Sequence, residues 1–170
     1  MPVVALDEVA ALLPQRGALI GLDLGSKTIG IAVSDPERRV AAPVETIARQ
    51  RFRADARRIL EFATERRAAG FVLGLPVNMD GTEGPRAQAT RAFARNLAAL
   101  TTLPIALWDE RLSTVAVERA LIAANVSRAR RKAVIDQHAA AYILQGALDR
   151  LLTLQRHLDA RAEPAAKGDG

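Results

Sequence analysis

The chain contains no cysteine, which excludes a disulfide framework, a thiolate metal site and a thiol nucleophile. Aromatic residues are scarce: four Phe, one Trp and one Tyr argue against the stacking platforms that grip single strands by their bases. Lysine is nearly absent, with only Lys27, Lys132 and Lys167. No apolar run approaches the ~18 residues of a membrane-crossing helix. The first residues lack the basic patch, long apolar stretch and small-residue cleavage site of a secretory leader. A soluble, cytoplasmic protein with no membrane partner is therefore the expectation.

What is present describes an ordinary globular chain. Its 170 residues amount to about one domain, enough to bury roughly 70% of the unfolded surface. Hydrophobic residues make up 49% and charged residues 25%, so wholesale disorder is excluded. The net charge is +5, and 21 of the 24 basic residues are arginine. A planar guanidinium fork matches phosphate oxygens, as a polyanionic partner requires. GC-rich coding produces the same bias, so composition alone does not decide.

Residues 1–16 read as an N-terminal extension with a short amphipathic helix, Asp7 as its cap and Pro14 as its stop. Three short apolar runs follow, Ala18–Leu24, Ile29–Val33 and Val40–Ile47, joined by turns at Gly25–Thr28 and Asp35–Glu37. They predict an antiparallel meander. Phe52, Ala56, Ile59 and Ala63 then fall on one face of a helix. Phe71–Leu75 is a buried-strand run closed by Pro76, and Pro85 opens a helix carrying Phe93, Leu97 and Leu100. Ile105–Trp108 is the last strand. Ser113 or Thr114 is expected to cap a helix ending near Asn125, before a final helix from about Arg130 to about His157. The order βββ-α-β-α-β-α-α predicts an α/β fold: a mixed five-stranded sheet, three antiparallel and two parallel strands, with helices on both faces. The domain proper is placed at 17–157, with a small, polar tail over 158–170 expected to fray.

Three acids stand out. Asp23 interrupts an apolar strand, where desolvating a carboxylate costs several kcal/mol unless something pairs with it. It reads either as a metal-binding carboxylate or as a strand-end turn residue. A dinucleotide site is excluded, because Gly21-x-Asp23-x-Gly25 puts a carboxylate where pyrophosphate belongs and leads into a hairpin. Asp109-Glu110 ends a second apolar strand, where an acid also suits the positive end of the following helix. Strand alternation does not choose between the two, since helices can cover both sheet faces. Asp136 precedes Ala140, Ile143 and Ala147 at i+4, i+7 and i+11, on the apolar stripe, where an unpaired ionised carboxylate is unusual. Converging carboxylates are the ligands that Mg²⁺ or Mn²⁺ prefers. Such a cluster can hold one or two ions that activate water and stabilise a phosphodiester leaving oxygen.

The run Gly21-Leu22-Asp23-Leu24-Gly25-Ser26-Lys27-Thr28-Ile29-Gly30-Ile31-Ala32-Val33-Ser34-Asp35 strongly resembles the opening of the YqgF/RuvX family. Val72–Thr82 resembles its second signature, Asp109-Glu110-Arg111-Leu112-Ser113-Thr114 its third, and Asp136 with Ala139-Ala140 and Ile143-Leu144 its fourth. The resemblance spans residues 19 to about 150 in order. It implies a ribonuclease H-like fold, a divalent-metal nuclease site, and a substrate that is either pre-16S ribosomal RNA or branched DNA. It also implies that Asp23, Glu110 and Asp136 are the catalytic, metal-binding carboxylates, with Glu110 favoured over Asp109. Gln137-His138 after Asp136 departs from the small or polar residues expected there. His138 lies about 200° round the helix from Asp136 and is expected to be exposed.

Lys27, Thr28, Asn78 and Arg111 are candidate nucleic-acid contacts. Lys27 and Thr28 are also consistent with a solvated hairpin tip, and Asn78 with a turn. Arg128, Arg130, Arg131 and Lys132 crowd the start of the last helix, where cations oppose its dipole by roughly 0.3–1 kcal/mol each. Arg130, Arg131 and Lys132 are read as phosphate-binding, with a solvated basic loop as the alternative. An actin-like ATPase is excluded by length, because the phosphate loop would need a second lobe. A non-catalytic RNA-binding or transcription-associated module is the rival, and it would not require three carboxylates. Either a monomer or a homodimer is compatible with the sequence.

Overall fold

The computed structural model describes residues 3–162, apart from the side chains of residues 114–118 and 136. Strands β1 (Val3–Val4), β2 (Ala18–Leu24), β3 (Thr28–Ser34), β4 (Ala41–Ala48), β5 (Ala68–Leu75) and β6 (Ile105–Asp109) form one sheet. Its order is β1-β6-β5-β2-β3-β4. β2, β3 and β4 pair antiparallel, whereas β2–β5, β5–β6 and β1–β6 pair parallel. The sheet therefore has six strands, one more than expected: Val3 and Val4 align beside Ile105 and Ala106, so the N-terminal segment extends the sheet.

Helices α1 (Leu6–Leu12), α2 (Phe52–Glu65), α3 (Pro85–Ala98), α4 (Arg111–Ala123) and α5 (Arg128–Ala162) complete the fold. Ile20, Leu22, Ile29, Ile31, Phe71, Leu73 and Ile105 form one face of the sheet and pack on Ile59, Phe62, Phe93 and Leu97 of α2 and α3. Leu19, Ala32, Val72 and Ala106 form the other, under Leu6 and Val9 of α1 and Ala140, Ile143, Leu144 and Leu148 of α5. Gly21 lets α5 lie directly on β2: a Cβ there would sit 2.7 Å from Leu144 Cβ and 2.9 Å from the Ala140 carbonyl oxygen. No helix among the described residues is long and apolar enough to cross a membrane.

Element ends follow local chemistry, with three corrections. α1 is capped by Ala5, and Asp7 lies in its first turn instead. α4 begins at Arg111 after Glu110. Ser113 lies inside it, accepting a 2.8 Å bond from Trp108 Nε1, and the side chain of Thr114 lies outside the described residues. α5 continues to Ala162, five residues past the expected boundary; residues 163–170 of the expected tail lie outside the described residues. The α4–α5 turn is a Schellman motif. Asn125 adopts φ 61°, with its N–H donating to Ile122 O (2.9 Å) and that of Val126 to Leu121 O (3.0 Å). Ser127 Oγ then accepts the Arg130 N–H and caps α5.

Candidate nuclease site

β2 and β6 end on the same edge of the sheet, separated only by β5. Along β2, Leu19 and Gly21 face α5, and Asp23 continues that alternation. Gly30 pairs with Asp23 across the β2–β3 hairpin; a Cβ on Gly30 would lie 3.6 Å from Asp23 Cβ and 3.4 Å from Ala140 Cβ. Asp23 thus opens into a cleft of about 290 Å³ between β3, β4 and α5, lined also by Thr28, Glu45, Gln137 and His138.

Glu110 reaches the same face from β6. Its N–H donates to Leu75 O at 3.1 Å, which turns the chain over the end of β5. A Cβ on Gly74 would lie 2.7 Å from Glu110 Oε1, 3.0 Å from its Cγ and 2.5 Å from Ile143 Cδ1, so the absence of a side chain at residue 74 makes the space Glu110 occupies. Burial pushes the Glu110 carboxyl up to about 7; the Asp23 and Asp109 carboxylates add to the shift, and Arg86 partly offsets it.

Asp109 and Glu110 differ in their partners through Arg111. Its Nη2 donates to Asp109 Oδ2 at 2.7 Å and its Nε to both carboxylate oxygens at 3.1 Å. Asp109, held below the ordinary carboxylate range by this pair, is occupied, whereas Glu110 faces Asp23. The remaining nitrogen, Nη1, donates to the carbonyls of Asn78 and Met79, each at 3.3 Å. Arg111, expected to bind nucleic acid, clamps β6 to the loop after β5 in this structure. The Asn78 amide donates to Thr82 Oγ1 at 3.0 Å, so it serves the turn.

Asp136 sits in α5 one turn before Ala140, but its side chain lies outside the described residues. Among the described residues no three metal-ligating side chains cluster. Asp23 and Glu110 nevertheless fit a divalent cation: both are hard oxygen donors, and their mutual repulsion raises Glu110, a penalty such a cation removes. Lys27 is exposed at the hairpin tip, where Arg49 Nη1 donates to Gly25 O at 2.7 Å. Arg130 and Lys132 are exposed near the start of α5. Arg131 Nη1 instead donates to Val126 O at 2.8 Å, closing the α4–α5 turn.

Two residues are new to the site. His138 is half-buried on the cleft wall, edge-on to Tyr142, contrary to its expected exposure. Gln145, seven residues on, bonds Ala41 N (2.9 Å) and Arg39 O (3.0 Å), so α5 is covered along that side too. Arg86, among the described residues, is a cation whose charge acts on Glu110. The signal available in sequence was a cation in the first turn of a helix, against its dipole.

The shift at Glu110 has a thermodynamic consequence without metal. The folded protein keeps this proton up to about 7, while an ordinary glutamate loses it near 4.5. Between those values the folded state binds more protons, so stability falls as pH rises. Chemical denaturation in EDTA across this window should show the decline in wild type and a flatter profile in Glu110→Gln; parallel profiles would mean that Glu110 titrates normally.

Residues 17–150 match the family model described as RuvX: Holliday junction resolvase. A relative from Rhodopseudomonas palustris (strain BisB5) is 70% identical over 155 residues, covering 91% of this chain and 97% of its own. Another, from Bradyrhizobium sp. (strain BTAi1 / ATCC BAA-1182), is 70% identical over 155 residues, covering 91% and 96%. Both carry the name "Putative pre-16S rRNA nuclease". A solved structure, T. thermophilus RuvC in complex with Holliday junction substrate, aligns with a TM-score of 0.48 at 14% identity, over 84% of this chain and 96% of that one.

Proposed function

Because the chain belongs to the RuvX family and has its ribonuclease H-like α/β fold, we propose that it is a divalent-metal-dependent nuclease that hydrolyses phosphodiester bonds in structured nucleic acid, with pre-16S rRNA as substrate. The observation that carries this reading is the pair Asp23 and Glu110, brought together from β2 and β6 closely enough for one charge to hinder the other. Asp136 of α5 completes the set from the helix covering that edge. A divalent cation such as Mg²⁺ or Mn²⁺, held by these three carboxylates, supplies Lewis-acid stabilisation of charge on the reacting phosphate.

The chain's own residues bind and orient. Gly74 leaves the space that Glu110 occupies, while the Asp109–Arg111 pair holds the β6–α4 junction. Thr28, which lines the cleft with Asp23, and Arg86, whose charge acts on Glu110, are able to bind phosphate, as is Lys27 at the exposed hairpin tip. Arg128, Arg130 and Lys132, exposed at the start of α5, contact backbone phosphates further along the substrate.

The deciding experiment incubates purified protein with precursor 16S rRNA and with a synthetic four-way DNA junction, each with Mg²⁺ and with EDTA. Mg²⁺-dependent cleavage at the 5′ end of the precursor is expected. Cleavage of the junction alone would favour the family's resolvase description, and binding without cleavage of either would favour a non-catalytic module. Replacing Arg128, Arg130 and Lys132 by Ala should weaken binding and lower the slope of log affinity against log salt by about 2, because roughly 0.7 of a counterion is released per single-strand contact. An unchanged slope would remove these residues from the binding surface.

A further inference from the structure

Met79 is 81% exposed, more than any other large hydrophobic side chain among the described residues. Single exposed apolar residues are ordinary on protein surfaces, but this one stands on a loop whose backbone is tied at several points. Asn78 N donates to Thr82 O and Gly81 N to Asn78 O, both at 2.9 Å. Asp80 Oδ1 accepts from Thr82 N at 2.9 Å and from its hydroxyl at 2.6 Å. Gly81, at φ 86°, supplies the left-handed residue the tight turn needs. The Met79 carbonyl itself accepts from Arg111, whose chain neighbour is Glu110. The loop is therefore tied to the site by a side chain that also holds Asp109.

We propose that Met79 is a wedge that packs against an unstacked base beside the scissile phosphate, selecting nucleic acid that is interrupted or branched there. This rests on the nuclease reading above and adds to it a source of substrate choice. Apolar side chains that enter base steps gain contact where stacking is already broken and meet a penalty in continuous duplex. A thioether on an unbranched, polarisable stem accepts bases of different shape, which makes the choice one of structure rather than sequence. A backbone ordered before binding removes the entropy cost of fixing the wedge.

The test uses two RNA probes of equal length, one a continuous duplex and one with an internal loop, with 2-aminopurine at the corresponding position of each. Binding is followed in EDTA, independent of cleavage. Wild type should prefer the interrupted probe and change its fluorescence. Met79→Ala should lose roughly 5-fold or more of affinity for that probe, the lower end of the scale for a base stacked on an aromatic side chain, with duplex affinity and thermal stability unchanged. Met79→Leu should retain most of the preference. The proposal is overturned if Met79→Ala keeps both the preference and the fluorescence change, or weakens both probes equally. Failure of wild type to cleave precursor 16S rRNA or the four-way junction with Mg²⁺ would count against the nuclease reading, whereas loss of preference in EDTA reports on Met79 alone.

Discussion

Asp23→Asn and Glu110→Gln should each lower the cleavage rate by about 10³-fold or more while the protein stays folded. A unit charge about 4 Å from a cation contributes about 4 kcal/mol at an effective dielectric near 20, and each 1.36 kcal/mol is a factor of ten in rate. Both substitutions keep size and remove only charge. In EDTA the Glu110→Gln protein should melt higher than wild type at pH 7.5, because it no longer holds a carboxylate that burial and Asp23 disfavour. Added Mg²⁺ should raise the melting temperature of wild type by binding only the folded state, and that of the variants less. Single-turnover rates and melts on the same preparations check both. A variant with near-wild-type turnover would take its residue out of the site.

Gly74→Ala should abolish most cleavage without touching a charge. The added methyl would lie within 2.7 Å of Glu110 Oε1 and 2.5 Å of Ile143 Cδ1, so Glu110 must swing aside and Ile143 must shift. Displacing a reacting group by about 1 Å costs on the order of 10²-fold. Overpacking of this kind destabilises by about 1–3 kcal/mol. Leu97→Ala, in the core on the opposite face of the sheet, provides the comparison: it should cost about 2–5 kcal/mol and leave cleavage by the folded protein intact. If Gly74→Ala loses stability but keeps full activity, the site does not depend on that space.

How much of this the sequence discloses depends on what each residue's neighbours are. The meander and the two parallel strands are legible because short apolar runs end at Gly, Pro or Asp. The helices are legible because Phe52, Ala56, Ile59 and Ala63 repeat at helical spacing. Asp23 is conspicuous because no apolar strand tolerates a carboxylate without cause. β1 is invisible, since two valines carry no period. The choice between Asp109 and Glu110 hinges on which sheet face α5 covers and on Arg111 folding back onto Asp109, neither of which spacing encodes. The same gap misplaced His138: a helix covered on two sides hides a wider arc than a single apolar stripe suggests.

The pairing of Val3 and Val4 with Ile105 and Ala106 sets an order on synthesis. Val3 and Val4 have no strand to join until about a hundred further residues have been made. The β2–β3–β4 meander closes through near neighbours and can form early; the parallel pairings must wait for their partners, and such distant contacts are slow to close. α5, which covers Asp23, follows every strand of the sheet in chain order. During translation the two halves of the carboxylate pair, at residues 23 and 110, thus stay apart, and the edge they share is assembled only after β6 has joined the sheet.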